Sequence, residues 1–205
     1  MKNLISFCLQ KHIRLDIKIS IFVLILALNF NSLTKADDIR DFEIEGISIG
    51  DSLLDYYTEN EIINFIQDRQ YPNSQRVKIT KILSDDFKTY EAVSADFLND
   101  GSYRIIKLSG RIFFRDNIKE CHKKMSEIDK DINEIFGNEN RYTGDKKHRY
   151  DKSGRSTMKV IGYTLGKDDI QIQCTDWHES MEMYDSLSFM LFTEEWMSFL
   201  NNEAY

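Results

Sequence analysis

Proline is almost absent from this chain: Pro72 is the only one in 205 residues. That excludes a proline-rich linker or an extended proline-based recognition arm. Glycine is nearly as sparse, with nine residues and no periodic spacing, so collagen-like and glycine-rich low-complexity structure are excluded too. There are three cysteines, none in a C-x-x-C pair, which removes the redox motif and the usual zinc-finger spacings. Also missing are the third glycine and Lys-Ser/Thr ending of a phosphate loop and the glycine and distal glutamate of a calcium hand. Neither a metal nor a cofactor is expected.

Long apolar runs are missing as well. The longest, Ile19–Phe30, has twelve residues, whereas a membrane-spanning helix needs about 20. Lys2, Lys11, Arg14 and Lys18 precede the run against Asp16 alone, and Thr34-Lys35-Ala36 follows it with small residues at the −3 and −1 positions of a cut after Ala36. A positive stretch, a short apolar core and a small-residue site together read as a secretory leader over residues 1–36. An uncleaved anchor is the lesser alternative. Cys8 lies ahead of the apolar run, so it is not a lipid-attachment cysteine after a leader.

The remainder, 37–205, is expected to be one exported domain, periplasmic or secreted. Removing residues 1–36, with five basic residues and one acidic, leaves 22 basic against 33 acidic and a net charge of −11. Such a body repels nucleic acid and anionic membranes at long range, so no nucleic-acid partner is expected.

What is present is an alternation of helix and strand signals. In Asn117–Phe136, Ile118, Cys121, Met125, Ile128, Ile132 and Ile135 recur every three or four residues, forming one apolar stripe on a helix. Asp116 is the expected cap and Gly137 the stop. Earlier, Phe42–Glu45 alternates as a short strand, and Asp51 is placed to cap a short helix reaching Tyr57. Thr58 with Glu61 forms a capping box opening a second helix, which Tyr71-Pro72 ends. Val77 and Ile79 alternate with charges, and Asn99-Asp100-Gly101 joins a strand over Thr89–Leu98 to one over Ser102–Phe114, with Gly110 marking a bend or bulge. Met158–Leu165 and Asp169–Trp177 form a hairpin around Gly166, Asp185–Phe192 is a further strand, and Thr193-Glu194-Glu195 starts a last helix. The fold class expected is α+β: a mostly antiparallel sheet of about five strands, helices on one face, one disulfide.

Once the leader is removed, Cys121 and Cys174 remain. One lies on the helix stripe, the other shares a strand face with Ile170 and Ile172. In an oxidising compartment this arrangement predicts a disulfide from helix to sheet. Closing a loop of 53 positions stabilises the fold by roughly 4 kcal/mol in the chain-entropy model. His122 and His178 near these cysteines suggest a zinc set, but adjacent helical residues diverge by about 100°, which disfavours it.

Arg141 to Lys159 is the one basic island. Arg141, Lys146, Lys147, His148 and Arg149 are the candidate partner contacts, in a segment that reads as a loop or ragged hairpin. Gly46-Ile47-Ser48-Ile49-Gly50 spells G-x-S-x-G, but no long strand precedes Ser48, so its glycines are expected to shape a turn rather than a nucleophile elbow.

The run from Phe42 to Tyr57, Cys121 on its helix and Ile172-Gln173-Cys174-Thr175-Asp176-Trp177 resemble a group of uncharacterised secreted proteins of AT-rich marine alphaproteobacteria. That resemblance implies export and no assigned activity. Gly46–Leu54 is also faintly similar to the glycine turn and first helix of small outer-membrane-assembly lipoproteins, whose lipid-attachment cysteine this chain lacks.

The expected function is a non-catalytic binding or interaction module of the periplasm or envelope, meeting an envelope protein or a small ligand. The alternatives are a small secreted hydrolase using carboxylates or Ser48, and a structural envelope component. Denatured, non-reduced protein cleaved after Ala36 should titrate no free thiol; two thiols per chain in a colorimetric assay would exclude the disulfide.

Overall fold

Strand alternation divides the molecule into two apolar layers. In a computed structural model, which describes residues 38–205 except Arg69 and Asp116, seven antiparallel strands form the main sheet. The leader segment therefore lies outside the described residues, as does Asp116. The elements in chain order are β1 (Glu43–Ile44), β2 (Ile47–Ser48), α1 (Glu59–Phe65), β3 (Val77–Ile79), β4 (Ala92–Leu98), β5 (Ile105–Phe113) and α2 (Ile118–Phe136). Then come β6 (Arg141–Lys147), β7 (Thr157–Leu165), β8 (Asp168–Asp176), β9 (Ser186–Phe192) and α3 (Glu194–Asn202). Sheet order is β3-β4-β5-β9-β8-β7-β6, and β1 pairs separately with β2.

The α+β class and the antiparallel pairing match expectation; the sheet is larger than about five strands. The strand hardest to see was β6. Without apolar alternation it reads only as a loop or ragged hairpin; it is the edge strand of an antiparallel hairpin with β7, exposed or half-buried throughout. Lysines on such an edge also discourage pairing with another chain.

Cross-strand partners share a face. Val93, Phe189, Ile172 and Ile161 form one row of the first face, and Ala95, Leu108, Leu191, Ile170 and Tyr163 the next. Helix α2 packs there on β8 and β9, burying Cys121, Met125 and Ile132. Its cap is Asn117, whose side chain accepts from the Glu120 N–H. The Cys121–Cys174 disulfide joins this helix to β8, with Cα atoms 6.0 Å apart.

The β1–β2 hairpin covers the same face. Glu45 and Gly46 both have positive φ, 52° and 78°, as a tight primed turn requires. The Glu45 carboxylate accepts from the backbone N–H groups of Lys88, Thr89 and Tyr90 at 2.7–2.8 Å. Ser52, not Asp51, caps the following 3-10 turn Leu53–Asp55, because its hydroxyl reaches the Leu54 N–H. Thr58 caps α1 through the expected box with Glu61, but α1 stops at Phe65, well short of Pro72.

Helices were expected on one face only. Helix α3 lies on the other, in a second core of Tyr71, Val77, Leu98, Ile106, Phe192, Trp196, Phe199 and Ala204. The reason is a bulge in β5. Asp96 pairs Lys107 while Phe97 pairs Ile105, so Ile106 has no partner on β4 and joins the second core as Ile105 joins the first. The bulge was expected at Gly110, which instead pairs regularly with Val93 and Phe189 and has the Tyr90 ring laid against it; a Cβ there would come within 2.5 Å of that ring.

Thr193 uses the bulge carbonyl to start α3. Its N–H and hydroxyl both donate to the Ile106 oxygen, at 3.1 and 2.9 Å, while its hydroxyl caps the Trp196 N–H. Beneath the helix Asp96 is fully buried. It accepts from Tyr71 Oη at 2.6 Å and Trp196 Nε1 at 3.1 Å, and Lys107 Nζ lies 3.4 Å away. Burial first, and then the adjacent carboxylate, hold the Tyr71 phenol far above its ordinary pKa.

Replacing Asp96 by alanine leaves Tyr71, Trp196 and Lys107 without their shared acceptor. The expected loss is roughly 3–5 kcal/mol, read as a lower urea midpoint; a loss under about 1 kcal/mol would show that water replaces the carboxylate.

Candidate binding surface

The basic island does not act as one patch. Arg141 leaves it: its Nε and Nη2 donate to Asp129 of α2 at 2.8 and 2.9 Å, a two-point pair. Tyr163 Oη adds a 2.6 Å bond to the same carboxylate. These bonds, the arginine's foremost, hold the Asp129 carboxyl below its usual range. Burial and the bond to Asp129 push the Tyr163 phenol up to about 12.

The other members sit around the β6–β7 turn. Lys146 and Lys147 are exposed on opposite faces of β6. The His148 ring packs against Trp177 at 4.0 Å. The Arg149 guanidinium lies 5.2 Å from the ring centres of both Tyr150 and Tyr205, and donates to Tyr205 Oη at 2.9 Å. Tyr205 in turn meets the Tyr71 ring edge-on, 6.1 Å away. The turn therefore reaches the C-terminus on the side of the sheet that carries α3.

Asp151 organises the turn itself. It accepts from the hydroxyls of Ser153 and Ser156 and from the N–H groups of Ser153, Arg155 and Ser156. Those bonds, led by the Ser153 hydroxyl, depress its pKa strongly. The segment expected to be ragged is thus tied internally, and the cations project from a fixed frame.

Sequence reasoning missed the second face of the sheet. Its register lays out rows. One row runs Ala92, Arg111, Ser188, Gln173, Val160, Gly144; below it lie Phe113, Ser186, Thr175, Met158 and Lys146. Above it lie Ser94, Ser109, Met190, Gln171, Gly162 and Tyr142. Gly162 is needed there because the Tyr142 ring lies over it; a Cβ would fall 2.1 Å from that ring. Tyr142 Oη donates to the buried Asp169 Oδ2 at 2.6 Å, and Gln171 Nε2 donates to Tyr142 Oη and to the same Asp169 oxygen. Desolvation raises the Asp169 pKa. Of the described α-helices only α3 belongs to the core on this face, at the end where Phe192 and Trp196 stack.

The other candidates are used structurally. Cys121 and Cys174 are bonded to each other and unavailable as ligands. Among the described residues no group of three or more His, Cys, Asp or Glu is placed to hold a metal ion. Ser48 lies on β2, its N–H donating to Tyr56 Oη, which donates to Asp51. Its side chain forms no hydrogen bond with a histidine among the described residues. A recess of about 680 Å³ opens beside Glu43, Tyr57, Asp86 and Phe87. Its central acid, Glu45, is spent on the 88–90 backbone: desolvation pushes its pKa up, but the three N–H donors prevail and lower it.

No protein-family model, curated protein or solved structure matches the chain. No described helix is long and apolar enough to cross a membrane.

The Asp129 pair sets an acid limit. Its carboxyl pKa is depressed in the folded state, so its contribution is complete above the unfolded value of about 3.9 and is lost as pH falls toward the folded value. Arg141→Gln should cost roughly 1–3 kcal/mol at neutral pH and move the acid-unfolding midpoint upward. An unchanged midpoint would show that the pair does not control acid stability.

Proposed function

We propose that this protein is an exported, non-catalytic binding module of the cell envelope, meeting an anionic partner through the β6–β7 turn. The observation that carries this reading is Arg149. Its guanidinium is set between two tyrosine rings and forms no ion pair with a carboxylate among the described residues. Most other arginines in the fold are committed: Arg40 to Asp38, Arg76 to Glu195 and Glu203, Arg104 to Glu195, Arg141 to Asp129. A cation held by rings rather than by acid keeps its N–H edges for an external acceptor.

Export is supported by the leader pattern of residues 1–36 and by a disulfide that an oxidising compartment would maintain. A non-catalytic role is supported by how the acids are used. Asp96, Asp129 and Asp151 each satisfy donors of the protein's own frame.

Neutralising Lys146, Lys147 and Arg149 together to glutamine should reduce co-sedimentation with an envelope fraction at least fivefold, with the circular dichroism spectrum retained. Unchanged co-sedimentation would remove the turn as the contact.

A further inference from the structure

The main sheet has two edges, and the fold treats them differently. At the β3 edge the chain fills its own outward backbone groups. The Gln67 N–H donates to the Ile79 oxygen and the Lys81 N–H to the Phe65 oxygen, both at 2.9 Å, and Gln70 Oε1 accepts from the Ile79 N–H at 3.0 Å. The segment from Phe65 to Gln70 thus seals that side.

At the other end the register of β6 with β7 decides which groups are used. The Thr164 N–H donates to the Asn140 oxygen and the His148 N–H to the Ser156 oxygen. Between those two bonds the pairing runs without a shift from Arg141 with Tyr163 to Lys147 with Thr157. Hydrogen-bonded pairs alternate with non-bonded pairs in an antiparallel ladder. Tyr142, Gly144 and Lys146 therefore exchange bonds with β7, while Arg141, Thr143, Asp145 and Lys147 turn their N–H and C=O groups outward. The Arg141 N–H is taken by the Asn138 oxygen at 3.2 Å. The outward groups of Thr143, Asp145 and Lys147 have no partner among the described residues. The side chains of Thr143, Asp145, Lys146 and Lys147 are all exposed.

We infer that this edge takes an extended acidic segment of another protein as an eighth strand, with adjacent carboxylates reaching Lys146 on one face and Lys147 on the other. The inference rests on the binding-module reading and says how the partner is held. Main-chain bonds supply affinity in strand addition, and side chains on alternate faces supply selectivity. Charge chooses the occupant. Residues 141–159 hold seven basic side chains against Asp145 and Asp151. Asp145 stands opposite Lys159 in the register, and Asp151 is spent on the turn. Arg149, held by rings just past the strand, extends the basic track.

Other occupants fit less well. A second copy pairing edge to edge brings one basic island against another, which the lysines oppose. A nucleic acid or polyphosphate meets the cations but leaves the outward N–H and C=O groups unfilled, and it is repelled by a body of net charge −11.

The test follows the backbone amides of the purified chain by NMR while the capped peptide Thr-Val-Glu-Glu-Val-Thr is added. In the free chain the amides of Thr143, Asp145 and Lys147 should exchange fast with solvent and those of Gly144 and Lys146 slowly. Saturating peptide should slow the first three at least fivefold. The same peptide with lysines for glutamates, or N-methylated at both glutamates to block both of its edges while keeping the charge, should bind at least tenfold more weakly. Thr143→Pro removes an outward N–H and sets a ring on the edge, so it should weaken the acidic peptide at least tenfold, with thermal unfolding checking its fold. If that variant does not fold, the methylated peptide decides alone. Equal binding of the methylated peptide overturns the inference, because charge alone would then be the attraction. So do slow exchange of all five amides in the free chain, which would mean an edge already occupied, and a dimer in sedimentation that Thr143→Pro dissociates. No peptide binding, with the triple turn variant still losing envelope capture, would refute the eighth strand and spare the binding module.

Discussion

The Asp96 carboxylate is the constraint on which the two-layered architecture depends. A fully buried anion is tolerated only if its hydrogen-bonding capacity is filled. The donors that fill it come from three separate parts of the chain: Tyr71 from the segment before β3, Lys107 from β5, and Trp196 from α3. Any arrangement that leaves α3 off the second face strands an unsatisfied charge. Lys107 Nζ also lies 5.2 Å from the centre of the Trp196 ring, so the cation that partners the acid holds the helix as well. The β5 bulge completes the device by turning Ile106 toward that face and offering its carbonyl to Thr193. Outside it, Arg76 and Arg104 both bind Glu195.

The first face is held by a different logic. There the apolar rows of β4, β5, β9 and β8 need only an amphipathic cover, and α2 supplies it. The disulfide removes freedom from the unfolded chain rather than specifying direction. Face one is thus specified by pattern and face two by a polar network, and the two meet at the residue pair Ile105 and Ile106. The serine- and threonine-bearing rows of the second face are buried as well, with Ser186, Ser188 and Thr175 each at most 5% exposed.

That division explains what could be read from the chain. The α2 stripe, the Thr58–Glu61 box, the 99–101 turn, the β7–β8 hairpin and the Cys121–Cys174 pairing are local or periodic signals, and each was legible. The Asp96 cluster was not, because Tyr71, Asp96 and Trp196 are 25 and 100 positions apart and none is unusual in its own neighbourhood. Strand β6 was hidden because an exposed edge imposes no apolar alternation. Arg111 was hidden for a related reason. Within β5 it is one charged letter after a glycine, and only the register shows that its neighbours across four strands are serine, glutamine, valine and glycine. A weak signal did exist: Ser186 and Ser188 in one strand and Gln171, Gln173 and Thr175 in another alternate with core residues, which marks one face as polar but neither charged nor acidic.

The contrast between Arg141 and Arg149 shows why a charge cluster in sequence is a poor unit of function. They are eight positions apart, within one basic island. Arg141 begins β6 on the helix side, where Asp129 and Tyr163 claim it, and its charge serves stability. Arg149 lies beyond the end of the strand, where the chain turns to the α3 side and meets only rings. The same alternation places Lys146 beside the polar rows and Lys147 away from them. Strand periodicity, rather than local charge density, therefore decides which cations of the island share a surface with Arg111 and which act on the opposite face.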